Sequence, residues 1–307
     1  MRKPLFFEGI ICPLITPLNE DFTLDVAATE HLIRHIVSGG IQGIFILGTT
    51  GEASSLSYAV KRKLIEISAV TLAETQLPLL VGIGDSSLAE SVALAEFAKA
   101  HGATAVVATA PFYFDLEPED MQRYFLSLAD QIALPLYLYN YPKSTHFNLV
   151  PEVVRQLQQH PNIMGIKDSS GDKAYMNALI EISKETAFNV LIGPEEILTE
   201  LLLQGAQGGV NGGSNMFPSL YTQLYKATLK NDFDQREQLQ KLVMQLSEGV
   251  YALEGGVNSY LKGIKAAAAA LGLCKNILSP PLKAAESDIA DSIASTVQDI
   301  KSTLKKI

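Results

Sequence analysis

Cysteine is scarce in this sequence. The 307 residues include two cysteines, Cys12 and Cys274, which lie far apart and form no CxxC motif. A distant pair of this kind is typical of two buried small side chains rather than of a disulfide or a metal site. Because disulfides are rare where thiols are kept reduced, the pattern favours a cytoplasmic protein.

Clusters of positive charge and long apolar runs are also missing. The net charge is −9 and lysines and arginines are scattered, which argues against a nucleic acid or an anionic membrane as partner. No stretch approaches the roughly 18 uncharged apolar residues of a membrane span. Glu8, Pro13 and Pro17 interrupt the apolar N-terminal stretch, which argues against a signal peptide. We expect a soluble protein that holds any anionic substrate by local groups.

Short apolar runs alternate with longer stretches whose apolar residues recur at helical spacing. Runs this uniformly apolar are typical of strands buried on both faces, as in a parallel sheet. Eight runs, each followed by a helix, predict a closed (β/α)₈ TIM barrel. The runs span residues 9–16, 43–48, 77–84, 104–111, 134–142, 163–170, 188–194 and 208–215.

The chain after the eighth run is helical, without further strands. Its first helix, SLYTQLYKATL, would complete the barrel. We therefore predict a catalytic barrel over residues 1–230 and a C-terminal helical domain over residues 231–307. Gly39–Gly40 and Gly102 follow predicted helices, where a left-handed cap is expected.

Polar residues follow several of the predicted strands. In a (β/α)₈ barrel the carboxyl ends of the strands form one rim, and catalytic residues lie there. The rim would collect GTTGE (48–52), APFYF (110–114), YNY (139–141), KDSSGD (167–172), GPEE (193–196) and VNGGSN (210–215).

Lys167 ends one of these strands and would lie in the barrel mouth among apolar walls. Burial disfavours an ammonium group, so the amine would be free to attack a carbonyl carbon. Tyr139, at the preceding strand end, could relay protons to the amine and to a substrate oxygen. The alternatives are a salt bridge between Lys167 and Asp168, and a tyrosine that serves packing alone.

The loop GTTGE precedes a predicted helix. It offers the hydroxyls of Thr49 and Thr50 and backbone N–H groups around Gly51, which suits a carboxylate ligand. Glycine and threonine are also ordinary residues of a tight turn, so the loop alone is compatible with either interpretation.

The motifs GTTGE, YNYP and GIKDSSGD, with TPLNEDFTLD ahead of them and PFYF between, occur in one order and spacing. In this combination the chain resembles the dihydrodipicolinate synthase / N-acetylneuraminate lyase family over essentially its whole length. The resemblance implies a homotetramer of TIM barrels. It also implies metal-free class I chemistry in which pyruvate or a 2-keto acid forms a covalent imine, with no other cofactor.

The resemblance also implies roles for particular residues. Lys167 would form the imine and Tyr139 would transfer protons. Thr49 and Thr50 would hold the carboxylate, and Thr50 would link tyrosines in a proton relay. Tyr113 would complete the relay across a subunit interface, and the Val210 carbonyl would face the bound keto acid.

The chain departs from the synthase branch after YNYP. That branch has an arginine where this chain has Ser144, and a glycine where it has His146. Lys143 is adjacent but would point elsewhere on an extended chain, and a lysine does not replace a bidentate guanidinium. These differences put dihydrodipicolinate synthesis in doubt.

The lyase branch has an acidic pair after the seventh strand, and Gly193, Glu195 and Glu196 stand at those positions. Their carboxylates could accept hydrogen bonds from the hydroxyls of a sugar acid. Ser169 is a further candidate contact. Alternatively, PEE is a common helix start, with a proline and acids in the first turn.

Two further motifs resemble sites of other kinds. His31 and His35 have metal-like spacing but lack the glutamate of HExxH, so a solvated helix face is favoured. GIGDSS lacks the third glycine of a dinucleotide fingerprint.

We predict a Schiff-base aldolase or lyase that yields pyruvate and a small aldehyde from a 2-keto-3-deoxy sugar acid or a related 4-hydroxy-2-keto acid. The alternatives are 4-hydroxy-tetrahydrodipicolinate synthase, which condenses pyruvate with aspartate semialdehyde, and an inactive barrel that binds a ligand or regulates. The complete set of Lys167, Tyr139 and threonines argues against the inactive barrel.

Overall fold

The computed structural model describes residues 6–253 and 258–307. Eight parallel strands form a closed barrel in sequential order, which confirms the predicted (β/α)₈ fold. The strands are β1 (Gly9–Pro13), β2 (Gly43–Ile46), β3 (Leu79–Gly82), β4 (Ala105–Thr109), β5 (Leu136–Asn140), β6 (Ile163–Asp168), β7 (Asn189–Ile192) and β8 (Gly208–Val210).

Helices surround the barrel and continue beyond it. They are α1 (Val26–Ser38), α2 (Tyr58–Leu72), α3 (Leu88–Ala100), α4 (Pro118–Gln131), α5 (Pro142–Thr145), α6 (Pro151–Leu157), α7 (Lys173–Ser183), α8 (Leu198–Gln204), α9 (Pro218–Leu229), α10 (Phe233–Leu246), α11 (Ser259–Ala270) and α12 (Ser287–Leu304). Short 3₁₀ turns lie at Ala53–Ser55, Glu195–Ile197 and Gly212–Asn215, and a π-helical turn at Ser247–Tyr251 follows α10.

The strands are buried on both faces, as their uniform composition predicts. One hydrophobic cluster fills the barrel and includes Phe45, Tyr137, Tyr139 and Leu191, whereas a larger cluster lies between the strands and the helices. Side chains alternate between these two clusters along each strand. In β5 this alternation sends Tyr137 and Tyr139 inward and Leu138 outward.

The eighth strand is shorter than the sequence suggested. It ends at Val210, and a 3₁₀ turn follows instead of further strand. The glycines of this segment make room for tyrosines: a Cβ on Gly212 would lie 1.9 Å from the Tyr260 hydroxyl oxygen, and one on Gly213 would lie 1.9 Å from that of Tyr221. Close packing by Tyr260 of α11 and Tyr221 of α9 therefore explains the glycines at positions 212 and 213.

Helix ends follow local signals in the sequence. Asp25, Ser57 and Ser87 cap the N-termini of α1, α2 and α3 by accepting hydrogen bonds from backbone N–H groups. Gly40 and Gly102 have φ values of 79° and 87°, in the left-handed region that glycine adopts without strain.

The C-terminal helices pack onto the barrel. Leu239 and Val243 of α10 and Val297 of α12 belong to the same hydrophobic cluster as the helices of the barrel. Lys265 of α11 is buried and forms an ion pair with Glu52 at 2.7 Å, and its ammonium donates to the Thr16 carbonyl at 2.7 Å. This pair joins α11 to the loop after β2. The division at residues 230 and 231 stays a prediction.

Both cysteines are free thiols, and Cys12 is fully buried. Burial raises the pKa of Cys12 to about 12, which makes the reactive thiolate rare. Within residues 6–253 and 258–307, no helix has the length and apolar character needed to cross a membrane.

Candidate active site

Lys167 and Tyr139 are Cα partners on the neighbouring strands β6 and β5. The Lys167 side chain is 5% exposed, and its Nζ lies 4.1 Å from the centroid of the Tyr139 ring. The Phe45 ring centroid is 5.5 Å from the same nitrogen. The amine is therefore largely shielded from bulk water and has an aromatic phenol as its neighbour, as predicted from the strand ends.

Asp168 has partners other than Lys167. It is fully buried, and its carboxylate accepts hydrogen bonds from Asn140 Nδ2 and Ser170 Oγ, each at 2.7 Å. Burial raises the pKa of Asp168, while these hydrogen bonds act in the opposite direction. Since side chains alternate along β6, Asp168 points away from the barrel interior. Among the described residues, no salt bridge joins Lys167 and Asp168.

The two threonines of the GTTGE loop bind different tyrosines. Thr49 Oγ1 lies 3.1 Å from the Tyr139 hydroxyl, and Thr50 Oγ1 lies 3.0 Å from that of Tyr260. The resemblance suggested that Thr50 links the catalytic tyrosines. The structure differs on this point, because the hydroxyl bonded to Tyr139 belongs to Thr49. Consecutive side chains on this loop face different neighbours, so the two hydroxyls diverge.

These residues line a cavity of about 240 Å³ at the carboxyl ends of the strands. A second cavity, of about 470 Å³, shares Thr49, Tyr139, Tyr141 and Lys143 with it. The first cavity is lined by Thr49, Thr50, Tyr139, Tyr141, Lys143, Lys167, Ser169, Gly193, Pro194, Glu195, Glu196, Val210, Gly212, Tyr251 and Tyr260. It therefore brings together most of the residues predicted from sequence.

Gly51 and Tyr113 do not line either cavity. Gly51 packs behind the loop, where its carbonyl accepts from Thr16 Oγ1 at 2.7 Å. Tyr113 is 78% exposed and packs edge-on against the Phe114 ring. The role of Tyr113 at a subunit interface stays a prediction.

The carboxylate of Glu195 accepts hydrogen bonds from other groups of the protein. One oxygen accepts from the hydroxyls of Tyr221 and Tyr251, and the other accepts from the Gly213 backbone N–H. Burial raises the pKa of Glu195 to about 7, although these hydrogen bonds lower it. The prediction that Glu195 receives substrate hydroxyls is therefore not supported by its contacts. The alternative, that PEE begins a helical segment, agrees with the 3₁₀ turn at Glu195–Ile197.

Glu196 and Ser169 line the same cavity as Glu195. Glu196 Oε1 accepts from Ser247 Oγ at 2.5 Å. Ser169 packs against Gly193, where a Cβ would lie 2.1 Å from the serine oxygen. A glycine at position 193 therefore allows Ser169 to reach the cavity wall.

Lys143 does not point away from the site, which corrects the expectation from an extended chain. Residues Pro142–Thr145 form the short helix α5, which begins at a proline and ends at His146 with φ 65°. This turn places the exposed Lys143 on the lining of both cavities, while Ser144 and His146 line the larger one.

Tyr251 and Tyr260 are site residues that the sequence reasoning missed, and Tyr141 was placed on the rim without a role. The Tyr141 ring stacks on Tyr139 at 6.0 Å with an interplanar angle of 2°. Tyr251 comes from the π-helical turn and Tyr260 from α11, so the C-terminal helices complete the cavity wall. The second tyrosine of YNY was a usable signal, whereas the positions of Tyr251 and Tyr260 depend on tertiary packing.

The paired histidines of α1 are not equivalent. His35 is partly buried and bonds the Met216 carbonyl at 3.1 Å, so it does not lie on a fully solvated face. Burial lowers the pKa of His35. In the described part of the chain, no group of three or more His, Cys, Asp or Glu side chains has an arrangement that could hold a metal ion.

The chain is similar to known proteins in sequence and in fold. The model of the dihydrodipicolinate synthetase family matches residues 6–300. A probable 2-dehydro-3-deoxy-D-pentonate aldolase of Escherichia coli (strain K12) is 33% identical over 291 residues, which cover 94% of this chain and 95% of that protein.

Two solved structures have nearly the same fold. Dihydrodipicolinate synthase from Bacteroides thetaiotaomicron is 41% identical, with a TM-score of 0.91, over 97% of this chain and 100% of that one. YagE, a prophage protein of the dihydrodipicolinic acid synthase family from E. coli K12 in complex with pyruvate, is 28% identical, with a TM-score of 0.90, over 96% and 99% of the two chains. The chain therefore belongs to the dihydrodipicolinate synthetase family of class I aldolases and synthases.

Proposed function

We propose that this protein is a Schiff-base aldolase that cleaves a 2-keto-3-deoxy sugar acid, or a related 4-hydroxy-2-keto acid, to pyruvate and an aldehyde. The observation that carries the proposal is the buried Lys167 amine beside the Tyr139 ring, at a cavity walled by hydroxyl groups. The E. coli relative named as a probable pentonate aldolase supports the same class of substrate.

The reaction begins with the Lys167 amine and the C2 carbonyl of the substrate. The lone pair of Lys167 Nζ forms a bond to C2, and the C2 oxygen leaves as water with one proton from the amine and one from the Tyr139 hydroxyl, which becomes a phenolate. One proton stays on the resulting iminium nitrogen. Because the positive iminium accepts an electron pair, it takes the role of an electron sink without a metal or another cofactor.

Bond cleavage then requires removal of the proton on the C4 hydroxyl. The Tyr139 phenolate oxygen, 3.1 Å from the Thr49 hydroxyl that hydrogen-bonds it, takes up this proton while the C3–C4 bond breaks. The aldehyde leaves, and the bond electrons remain as an enamine on Lys167. Return of the proton to C3 and hydrolysis of the imine release pyruvate and restore the amine. In this scheme Thr50 holds the carboxylate, and the Val210 carbonyl faces the keto acid.

The larger cavity supports a hydroxylated substrate rather than aspartate semialdehyde. Ser144 stands where the synthase branch has its arginine, so a bidentate guanidinium is missing at this position. Several other side chains of this cavity carry hydrogen-bonding groups: Ser54, Ser55, Thr109, Thr145 and His146. The B. thetaiotaomicron synthase, at 41% identity, makes condensation of pyruvate with aspartate semialdehyde the second candidate.

A turnover assay separates these candidates. Five-carbon and six-carbon 2-keto-3-deoxy acids are offered to the protein, and pyruvate release is followed; in parallel, pyruvate is offered with aspartate semialdehyde. We expect cleavage of a sugar acid, its loss in Lys167→Ala, and full activity in Lys184→Ala, a surface lysine paired with Glu181. Preferential turnover of aspartate semialdehyde would favour the synthase. No turnover of any pair would favour an inactive ligand-binding barrel.

We also infer a cytoplasmic homotetramer in which Tyr113 contacts a neighbouring subunit. Support comes from the adjacent exposed aromatic side chains Tyr113 and Phe114, which are 78% and 72% exposed. Adjacent exposed apolar side chains mark an association surface when they belong to a large contiguous patch. Sedimentation velocity should give a four-chain particle, and Tyr113→Ala should lower kcat. A monomer with full activity would contradict this inference, and recovery in a membrane or secreted fraction would contradict the localisation.

A further inference from the structure

The phenol of Tyr260 lies on the wall of the cavity that holds the Lys167 amine. Its hydroxyl oxygen is 3.0 Å from Thr50 Oγ1, and both residues line the cavity of about 240 Å³. Tyr260 belongs to α11, in the part of the chain that follows the barrel. The proposed reaction leaves this residue without a role.

Packing fixes the Tyr260 ring from several sides. The hydroxyl lies directly over Gly212, where a Cβ would approach to 1.9 Å. The Tyr251 ring packs edge-on against the Tyr260 ring, with centroids 4.9 Å apart at 62°. Tyr251 is itself held by its hydroxyl, which donates to Glu195 at 3.0 Å. The Tyr260 hydroxyl therefore has little freedom to leave Thr50.

The direction of the hydrogen bond between Tyr260 and Thr50 has a chemical consequence. Burial, with the negative charge of Glu195 nearby, raises the pKa of Tyr260 well above its ordinary value, so the phenol stays protonated. Either hydroxyl of this pair can donate. A buried phenol O–H needs an acceptor, and Thr50 Oγ1, at 3.0 Å, supplies one. When Thr50 accepts this bond, its own proton is free to point into the cavity.

We propose that Tyr260 is a positioning residue that directs the Thr50 hydroxyl proton toward the carboxylate of the bound 2-keto acid. This inference rests on the proposed function, because it requires a keto acid on Lys167. The proposed hydrogen bond from Thr50 is made only to a carboxylate. The binding of a ketone without a carboxylate should therefore not depend on how the Thr50 hydroxyl is oriented. The C-terminal helix α11 thereby takes part in substrate binding.

The experiment compares two ketones that form an imine with an amine. Pyruvate and acetone are each titrated against the protein and trapped with borohydride, and the adduct on Lys167 is measured by mass spectrometry. Tyr260→Phe keeps the ring contact with Tyr251 and removes the hydroxyl that lies over Gly212. Tyr225→Phe is the matched control, because its hydroxyl bonds the Gln207 carbonyl at 3.3 Å, outside the cavity lining.

We expect Tyr260→Phe to raise the half-saturating concentration of pyruvate by about tenfold, since hydrogen bonds to charged groups contribute this order of binding. The acetone titration should stay within about twofold of the parent protein, and Tyr225→Phe should match the parent with both ketones. In turnover, KM should rise more than kcat falls. A variant that binds pyruvate like the parent, or that loses pyruvate and acetone equally, would overturn the inference.

A double-mutant cycle tests the link to Thr50 directly. In a Thr50→Val background the hydroxyl that Tyr260 directs is gone, so adding Tyr260→Phe should change pyruvate trapping by less than about twofold. If the two substitutions reduced pyruvate trapping independently, so that the double variant showed the product of the two single effects, the role of Tyr260 would be contradicted. If the parent protein traps no pyruvate at all, the proposed function fails and this inference falls with it. Normal trapping by the parent, with no effect of Tyr260→Phe, rejects the inference alone.

Discussion

Tyr139 and Lys167 occupy paired positions on β5 and β6, and the Lys167 nitrogen lies 4.1 Å from the centre of the Tyr139 ring. The register of two parallel strands, rather than a loop, sets this relationship. A shift of one residue in either strand would turn a side chain out of the barrel. Rigid backbone pairing thus places a proton-transfer group beside the nucleophile.

Removal of the Tyr139 hydroxyl should slow the reaction strongly. Tyr139→Phe keeps the ring beside Lys167 but removes the group bonded to Thr49, so we expect kcat to fall by about 10²–10⁴-fold. Pyruvate release at saturating substrate measures the effect. Tyr124→Phe, which loses a hydroxyl bonded to Ser91 between helices, serves as control and should keep normal kcat. A kcat for Tyr139→Phe within about threefold of the parent would contradict the proton-transfer role.

Thr49 and Thr50 should affect different steps. Thr49 is bonded to Tyr139, so Thr49→Val should lower kcat with a smaller change in KM. Thr50→Val should mainly raise KM, because it removes a proposed carboxylate contact without touching Tyr139. Steady-state kinetics on one substrate separate the two patterns. The opposite assignment would restore the relay through Thr50 that the resemblance suggested.

Much of the fold could be predicted from the sequence because buried parallel strands leave a continuous apolar signal. The residues at their carboxyl ends followed from the same pattern, which is why Lys167, Tyr139 and Val210 were placed on one rim. The predicted extent of β8 was wrong beyond Val210, since Gly212 and Gly213 pack closely against Tyr260 and Tyr221 and do not continue the strand.

Contacts that depend on the C-terminal helices could not be predicted in the same way. Helical spacing identifies α11 but does not say which barrel loop it packs against, so Tyr260 gave no local signal. Lys143 is a different case. Pro142 at the first position of α5 was a visible helix start, and it explains why the chain turns there instead of running extended.

The buried ion pair between Lys265 and Glu52 should be essential for stability. Glu52 also accepts a hydrogen bond from the Ser279 backbone N–H at 2.7 Å. Through Lys265 and Ser279, two parts of the C-terminal segment are therefore bound to the GTTGE loop. Lys265→Met leaves a buried carboxylate without its counter-charge. The free energy of unfolding should fall by about 3–5 kcal/mol.

Urea unfolding of the single and double variants measures this effect. The double variant Glu52→Gln/Lys265→Met should recover part of the loss, because it removes the unpaired charge together with its partner. Lys241→Met, which breaks an exposed pair with Glu237, is the control and should change the unfolding free energy by less than about 1 kcal/mol. If Lys265→Met and Lys241→Met lowered the free energy of unfolding equally, the buried ion pair would not have the predicted importance.

Glu195 should make stability depend on pH in the neutral range. Burial raises its pKa to about 7 in the folded state, above the ordinary value that the unfolded chain retains. Between about pH 4.5 and pH 7 the folded state therefore binds more protons than the unfolded state. The contribution of Glu195 to the free energy of unfolding decreases as pH rises through this range. Above pH 7 the free energy of unfolding is lower by about 3 kcal/mol than at pH values below the ordinary pKa of a glutamate.

Thermal unfolding of the parent and of Glu195→Gln across about pH 5 to pH 7.5 measures this contribution. The amide keeps the shape of the side chain without titrating. We expect the parent to lose stability relative to the variant as pH rises. A difference between the two proteins that stays constant over this range would show that Glu195 does not titrate there.

The most direct measurement is the site of borohydride trapping with pyruvate. Peptide mapping after reduction should show a pyruvate-derived mass on Lys167, and Lys167→Ala should carry no such adduct while Lys184→Ala is labelled like the parent protein. An adduct that persists in Lys167→Ala, or a parent protein that stays unlabelled at saturating pyruvate, would contradict the claim that this amine captures the ketone.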